Sequence, residues 1–268
     1  MYYKEIQPSG SLKQYVKCYY IFESTSDAYE DKAFATGCIE LMFNLGSGTW
    51  QTISDNDFTT TPPIELWGQI ISPLKFKSLG KNTMFGIRFF PHTAALFIND
   101  TIGLFNNHVS DFYSIEGNSI KYLHEKIINA SSLLERIELI ETYLLKKLSG
   151  NKKSLSKIGL ISTIMHELKK DDFFDNIQNV ASKYGISSRY LQKLFVQYTG
   201  LTPKLYSKIN RFQNSLQLVA KKDTSLTSIA YECNYFDQSH FIREFKFFTG
   251  VNPSAFNAAN SSAVLITP

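Results

Sequence analysis

The chain has 268 residues, 43% of them hydrophobic, and a formal net charge of +4. That length supports two hydrophobic cores, while no apolar run reaches the roughly 20 residues of a membrane-spanning helix, which excludes a helical membrane protein. Cys18, Cys38 and Cys233 share no C-x-x-C spacing and Met1-Tyr2-Tyr3-Lys4-Glu5 lacks a secretory pattern, so neither a disulfide framework nor a zinc module is indicated and a reducing, cytoplasmic setting is expected.

The N-terminal half reads as β-rich. Val16 to Phe22, Ile39 to Leu45, Ile64 to Ile71 and Met84 to Phe90 are short runs of β-branched and aromatic residues bounded by Gly, Pro, Ser and Asn, the composition of strands. Gly46-Ser47-Gly48 and Gly80-Lys81-Asn82 read as hairpin-like turns. Glu40 and Arg88 interrupt apolar strands: pointing inward, each needs a partner or a polar ligand, whereas simple alternation expects them on the solvent face. Trp67, Tyr20, Phe43 and Phe89 could line a ligand cavity or form ordinary core. His92, His108 and His124 have no H-x-H spacing and lie outside the strands, so no metal or other cofactor is expected.

After Pro91 the period changes. Ala94 to Phe97 and Ile120 to Ile128 suggest helices, and Leu133, Ile137, Ile140 and Leu144 mark a longer one to Leu148. Ser149-Gly150-Asn151-Lys152-Lys153-Ser154 is a short polar linker, and a helix follows over Ser156 to Leu168. The tail from Ala258 to Pro268 is small and polar and expected to fray.

Between Ile177 and Phe256 the chain repeats itself. Phe195 to Thr199-Gly200-Leu201-Thr202-Pro203 matches Phe245 to Thr249-Gly250-Val251-Asn252-Pro253 at an offset of 50, and Val180-Ala181 matches Ile229-Ala230 at 49. The second copy therefore carries one extra residue in the turn between its helices. Each copy reads as a helix-turn-helix. In the first, Ile177, Val180, Ala181 and Tyr184 form a stripe, Gly185 closes the helix, and Ser187 or Ser188 caps the next. In the second, Leu226, Ile229, Ala230 and Cys233 pack, Asn234 supplies the left-handed turn, and Asp237 caps. Leu191, Leu194, Phe195 and Tyr198 in one copy, and Phe241, Phe245 and Phe248 in the other, point inward. A connecting helix spans Tyr206 to Ala220, ending at Lys221-Lys222-Asp223.

The faces left outward carry Ser188, Arg189, Gln192 and Lys193 in one copy and Gln238, Ser239, His240, Ile242, Arg243 and Lys246 in the other. Arg and Gln bond two base-edge atoms at once, and cations neutralise phosphates. These are the candidate DNA-binding residues, with His240 expected at a phosphate or in packing rather than on a base. Charge divides accordingly: residues 1–150 carry net −3 and residues 151–268 net +7. Glu40, Trp67 and Arg88 are the candidate effector-binding residues.

Ile158 to Phe256 resembles the DNA-binding domain of AraC-type transcriptional regulators. The tract Ser228 to Lys246, running on to Gly250-Val251-Asn252-Pro253, is similar to that family's signature, departing at Asn234 where glycine is usual. Gly37 to Gly46 and Gly86 to Pro91 look like a divergent sensor half. The resemblance implies a two-domain protein. Residues 1–150 would be an α+β sensor and dimerisation domain, a small β-barrel or jelly-roll-like unit followed by helices. Residues 155–258 would be an all-α domain of seven helices, with two helix-turn-helix motifs joined by a long helix. It implies a non-enzymatic regulator with double-stranded DNA, RNA polymerase, a small-molecule effector and a second copy of the chain as partners. Its readers would enter major-groove segments about 34 Å apart. A protein-interaction module and a DNA-modifying enzyme with a fused reader are the other classes the residues leave open.

Overall fold

The computed structural model describes residues 2–24, 28–54, 57–151, 155–170 and 177–257. Lys152 to Ser154 of the expected linker and the tail from Ala258 lie outside them.

The N-terminal half holds ten strands in two antiparallel sheets. One sheet has six: β1 (Tyr2–Ile6), β2 (Val16–Ser24), β9 (Asn82–Phe89), β4 (Ile39–Asn44), β7 (Ile64–Trp67) and β10 (Val109–Asp111), in that spatial order. The other has four: β3 (Ala28–Ala33), β8 (Leu74–Leu79), β5 (Thr49–Ser54) and β6 (Asp57–Thr60). The sheets do not close on each other, so the unit is a jelly-roll-like sandwich rather than a barrel. Along β2, Cys18, Tyr20 and Phe22 face the smaller sheet, while Tyr19 and Ile21 join a second cluster on the opposite side. Burial on both faces explains why Cys18 to Phe22 reads as an apolar run without alternation.

The opposite face is covered by α1 (Phe112–Glu116), α2 (Asn118–Asn129) and α3 (Leu133–Gly150). Ile120, Leu123, Ile140 and Leu144 enter the cluster with Phe43 and Phe85, Tyr19 donates to the Glu141 carboxylate at 3.1 Å, and the His124 ring packs on Phe43. Phe43 and Phe89 thus face helices and not a ligand cavity.

Neither glycine-containing turn is a hairpin. Gly46 to Gly48 carries the chain from β4 to β5, and Gly80-Lys81 from β8 to β9, each a passage between sheets. The two crossings pack together, with Leu45 N–H donating to Thr83 O at 2.8 Å and Gly48 N–H to Lys81 O at 3.0 Å. A side chain at Gly48 would lie 2.6 Å from that Lys81 oxygen, which is why glycine stands there. β7 stops at Trp67 rather than at Ile71, because Gly68 is where the segment Ile102–Phe105, a 3-10 turn, crosses the strand.

The C-terminal half consists of α4 (Leu155–Lys170), α5 (Ile177–Lys183), α6 (Ser188–Thr199), α7 (Pro203–Lys221), α8 (Leu226–Glu232), α9 (Gln238–Thr249) and a closing 3-10 turn, Pro253–Ala255. Six α-helices therefore stand among the described residues where seven were expected. α7 begins earlier than its apolar stripe indicated, since Thr202 caps it and Pro203 occupies its first turn, the position that costs proline no hydrogen bond. The repeated Thr-Gly closes α6 and α9 alike. Thr199 Oγ1 donates to Phe195 O at 2.7 Å and accepts from Leu201 N–H; Thr249 does the same with Phe245 and Val251. Gly200 and Gly250 take the left-handed conformation, φ +72° and +77°, which glycine adopts without a Cβ clash.

The halves share one contiguous apolar cluster. Asn106 donates to Gly200 O at 2.8 Å, the Gln213 amide donates to Ala35 O, and the Phe34 ring packs on Phe256 with centroids 6.0 Å apart.

A Cβ at Gly68 would lie 1.8 Å from the Phe105 carbonyl oxygen. Backbone on both sides leaves nothing soft to yield, so Gly68→Ala should cost about 3 kcal/mol of stability, read as a lowered urea midpoint with an unchanged slope.

Candidate nucleic-acid interface

α6 and α9 each open on a side-chain cap. Ser187 accepts from Tyr190 N–H at 3.2 Å at the start of α6, and Asp237 accepts from His240 N–H at 2.6 Å at the start of α9. The preceding turns use φ +64° at Gly185 and +58° at Asn234, so asparagine does there what glycine does in the first copy.

Leu191, Leu194, Phe195 and Tyr198 are buried on α6 and Phe241, Phe245 and Phe248 on α9. The opposite faces expose Arg189, Gln192 and Lys193 in one copy and Gln238, Ser239, Arg243 and Lys246 in the other, with Ser188 and Ile242 half-buried. No ion pair among the described residues engages Arg189, Lys193, Arg243 or Lys246. Thr227 Oγ1 donates to Gln238 Oε1 at 2.8 Å, fixing the amide at the first turn of α9. Arg189, Gln192 and Lys193 share an open cleft with Lys157 of α4 and Thr101 of the N-terminal half. His240 is half-buried, its ring edge-on to Tyr235 and its Nε2 3.7 Å from Glu244.

Glu244 escaped the sequence reading. It is buried, and Arg211 of α7 grips it with two bonds, Nε to Oε1 at 3.0 Å and Nη2 to Oε2 at 2.8 Å. Arg211 also lies over the Tyr235 ring, 4.5 Å from its centroid. The signal was present: Glu244 lies three residues after Phe241, on the inward stripe, and its counterpart at the repeat offset is the buried Leu194. A charge at that position was passed over, although a buried charge with a bidentate partner is what that place requires.

Among the candidate effector residues, the structure brings Glu40 and Trp67 to a cavity of about 80 Å³ between the sheets, with Tyr20, Trp50, Phe76 and Cys38 also on its wall. Arg88 stands behind it, only 1% exposed. The solvent-face expectation for these charges is overturned: Arg88 Nε donates to Glu40 at 3.0 Å and Nη1 to Glu5 at 3.0 Å, and Tyr20 donates to the other Glu40 oxygen. Strand parity explains it, because Glu40 and Arg88 are a register pair sharing a face with Met42, Met84 and Trp67. All three cysteines are free and buried. Burial pushes the Cys18 thiol up to about 12 and that of Cys233 to about 11, as expected of packed, unreactive thiols. No cluster of three or more metal-ligating side chains occurs among the described residues, and no helix there is long and apolar enough to cross a membrane.

Residues 180–259 match a family described as a helix-turn-helix domain, and residues 4–111 match one described as a domain of unknown function, DUF6597. The chain is 35% identical over 80 residues to the uncharacterized HTH-type transcriptional regulator YidL of Escherichia coli, covering 30% of this chain and 27% of that one. It is 34% identical over 79 residues to the transcriptional activator RhaS of Citrobacter koseri, covering 29% and 28%. These matches span under a third of either relative. In fold, ToxT of Vibrio cholerae superposes with a TM-score of 0.47 at 15% identity, over 88% of this chain and 96% of that one. Residues 180–259 thus match a helix-turn-helix domain, and the structure places two helix-turn-helix units there. Over that stretch the chain is similar to transcriptional regulators of the helix-turn-helix type.

Two measurements probe this half and its partner. Glu244→Ala leaves the Arg211 guanidinium uncompensated and should cost about 3 kcal/mol, seen as a lowered melting temperature. Between the sheets, burial pushes the Glu65 carboxyl up to about 7, although Thr61 and Trp67 donate to it at 2.6 Å. The folded state then holds an extra proton between the ordinary value of 4.5 and about 7, so stability falls as pH rises through that window. Glu65→Gln should flatten that part of a urea-midpoint profile.

Proposed function

We propose that the protein is a sequence-specific transcription regulator whose helices α6 and α9 read successive major-groove segments of double-stranded DNA, under the control of a small molecule held between the sheets of the N-terminal half. The observation that carries this is the equivalence of the two readers. Equivalent caps, the same Thr-Gly closure and matching inward stripes present a cation with no ion pair among the described residues, Lys193 or Arg243, at matching places on two outward faces. Duplicated geometry of that kind suits a repeating lattice of groove and phosphate.

In this reading residues 1–150 sense and dimerise and residues 155–258 bind DNA, in the cytoplasm, with RNA polymerase as the downstream partner. Ser188, Arg189, Gln192, Lys193, Gln238, Ser239, Ile242, Arg243 and Lys246 contact the duplex, and His240 supports the fold of its own helix. Coupling has a physical route. Phe34, Thr36 and Cys38 line the cavity, while in the same segment Ala35 accepts from Gln213 of α7 and Phe34 packs on Phe256. An occupant that moves this segment shifts the readers to the extent that it binds the two arrangements unequally.

The test is selection of random duplex DNA by the whole protein, followed by titration of the recovered site at several salt concentrations. Two half-sites about one helical turn apart are expected, with an Arg243→Ala, Gln238→Ala double variant losing about 10- to 100-fold in discrimination. Unselective, steeply salt-dependent binding that ignores the variant would refute base reading by α9.

A further inference from the structure

The second helix-turn-helix carries one residue more than the first, and the structure identifies it. Ile186 N–H donates to Ala181 O at 3.0 Å, and Tyr235 N–H donates to Ala230 O at 2.9 Å. These are equivalent bonds at an offset of 49, so Tyr235 fills the place of Ile186. The helix caps that follow, Ser187 and Asp237, are equivalent at an offset of 50. Phe236 is the insertion.

Its ring has no packing role. Tyr235 is buried against Phe241 and His240, whereas Phe236 is 89% exposed, more than any other large hydrophobic residue described. Its backbone is nonetheless held in place. Phe236 N–H donates to His240 Nδ1 at 3.5 Å, and Asp237 next to it caps α9 through His240 N–H. The phenyl ring therefore projects from a held backbone at the N-terminal end of α9, one residue before the cap and beside exposed Gln238 and Ser239. That end of a recognition helix is the one that meets base edges.

We infer that Phe236 is a specificity-determining residue, whose ring packs on the C5-methyl group of a thymine in the segment read by α9. This rests on the DNA-reading role proposed above. The chemistry is selective: the thymine methyl is the one apolar group on a base edge in the major groove, and an aromatic ring is among the side chains that recognise it. Arg243 and Lys246 on the same helix, within a half of net charge +7, favour a polyanion over a protein surface as the body that covers this ring. The first copy has no residue at this place, its exposed apolar side chains Tyr190 and Val196 lying within α6 itself, so the two readers differ at the turn that leads into them.

The experiment uses the full chain and its selected site, with each thymine replaced in turn by deoxyuridine, which removes only the methyl. At one thymine in the α9 half-site, the replacement should weaken the wild-type protein about fourfold, the worth of one buried methyl group. Phe236→Ala should weaken binding to the unmodified site by a similar factor and become indifferent to that replacement, while Phe236→Leu should keep part of the sensitivity. Melting curves should match the wild type, since the ring supports no packing. The inference is overturned if Phe236→Ala keeps the wild-type response at every thymine, or if it binds the site unchanged and loses only transcription, which would place a protein on this ring. Failure to select any site would instead remove the DNA-reading role on which the inference stands.

Discussion

The C-terminal half is organised around one long helix. Along α7, Tyr206 packs on Phe195 of the first reader, Phe212 packs on Phe245 and Phe248 of the second, and Arg211 holds Glu244. The same helix meets the N-terminal half, with Ile209 3.4 Å from where a side chain at Gly37 would stand and Gln213 bonded to Ala35. The spacing between readers is therefore a property of α7 and its aromatic partners, not of the turns. A rigid spacing transfers cost to the DNA: if the readers sit closer than one helical turn, the duplex must bend, and its deformability enters the recognition energy.

The N-terminal half solves a different problem, that of carrying charge between two sheets. Arg88, Glu40 and Glu5 form a chain of ion pairs that ends at the β1 edge, where Glu5 is partly exposed. Removing either carboxylate would leave a guanidinium with too few acceptors in a low-dielectric space, and one of its nitrogens, Nη2, already has no partner. The network links β1, β4 and β9, and desolvation consumes much of its Coulomb gain. The cavity beside it is walled mainly by aromatic side chains, with Glu40 as the acid that joins wall to network.

The sequence carried the C-terminal half nearly whole, because its signals are local. Caps, left-handed turn residues and helical stripes each lie within a few residues of the contacts they specify, and repetition checked every one. It carried the N-terminal half in part. The four strands that were found are largely buried on both faces and so are mostly apolar. β3, β5, β6 and β8 alternate or are polar, as in Tyr29-Glu30-Asp31-Lys32, because the smaller sheet faces solvent on one side. β1 and β10 lie at the sheet edges and are short or polar. The two glycine turns gave the right place and the wrong partner: a tight turn between adjacent strands looks the same in sequence whether the strands pair or part to different sheets.

The differences between the two repeats matter more than their likeness. Where the first copy has Leu194, the second has Glu244, and where the first has a four-residue turn, the second has Phe236 added. The first change moves the attachment of α9 to α7 from apolar packing alone to packing plus a bidentate, directional pair, which fixes rotation about the helix axis as well as distance. Fixed rotation is what a reader needs if a single methyl is to be recognised, since a ring that swings by an ångström or two loses most of its contact energy. The inserted ring and the buried carboxylate thus both belong to the second copy, whereas α6 is held to α7 by apolar side chains and to the N-terminal half by Asn106 at its closing glycine.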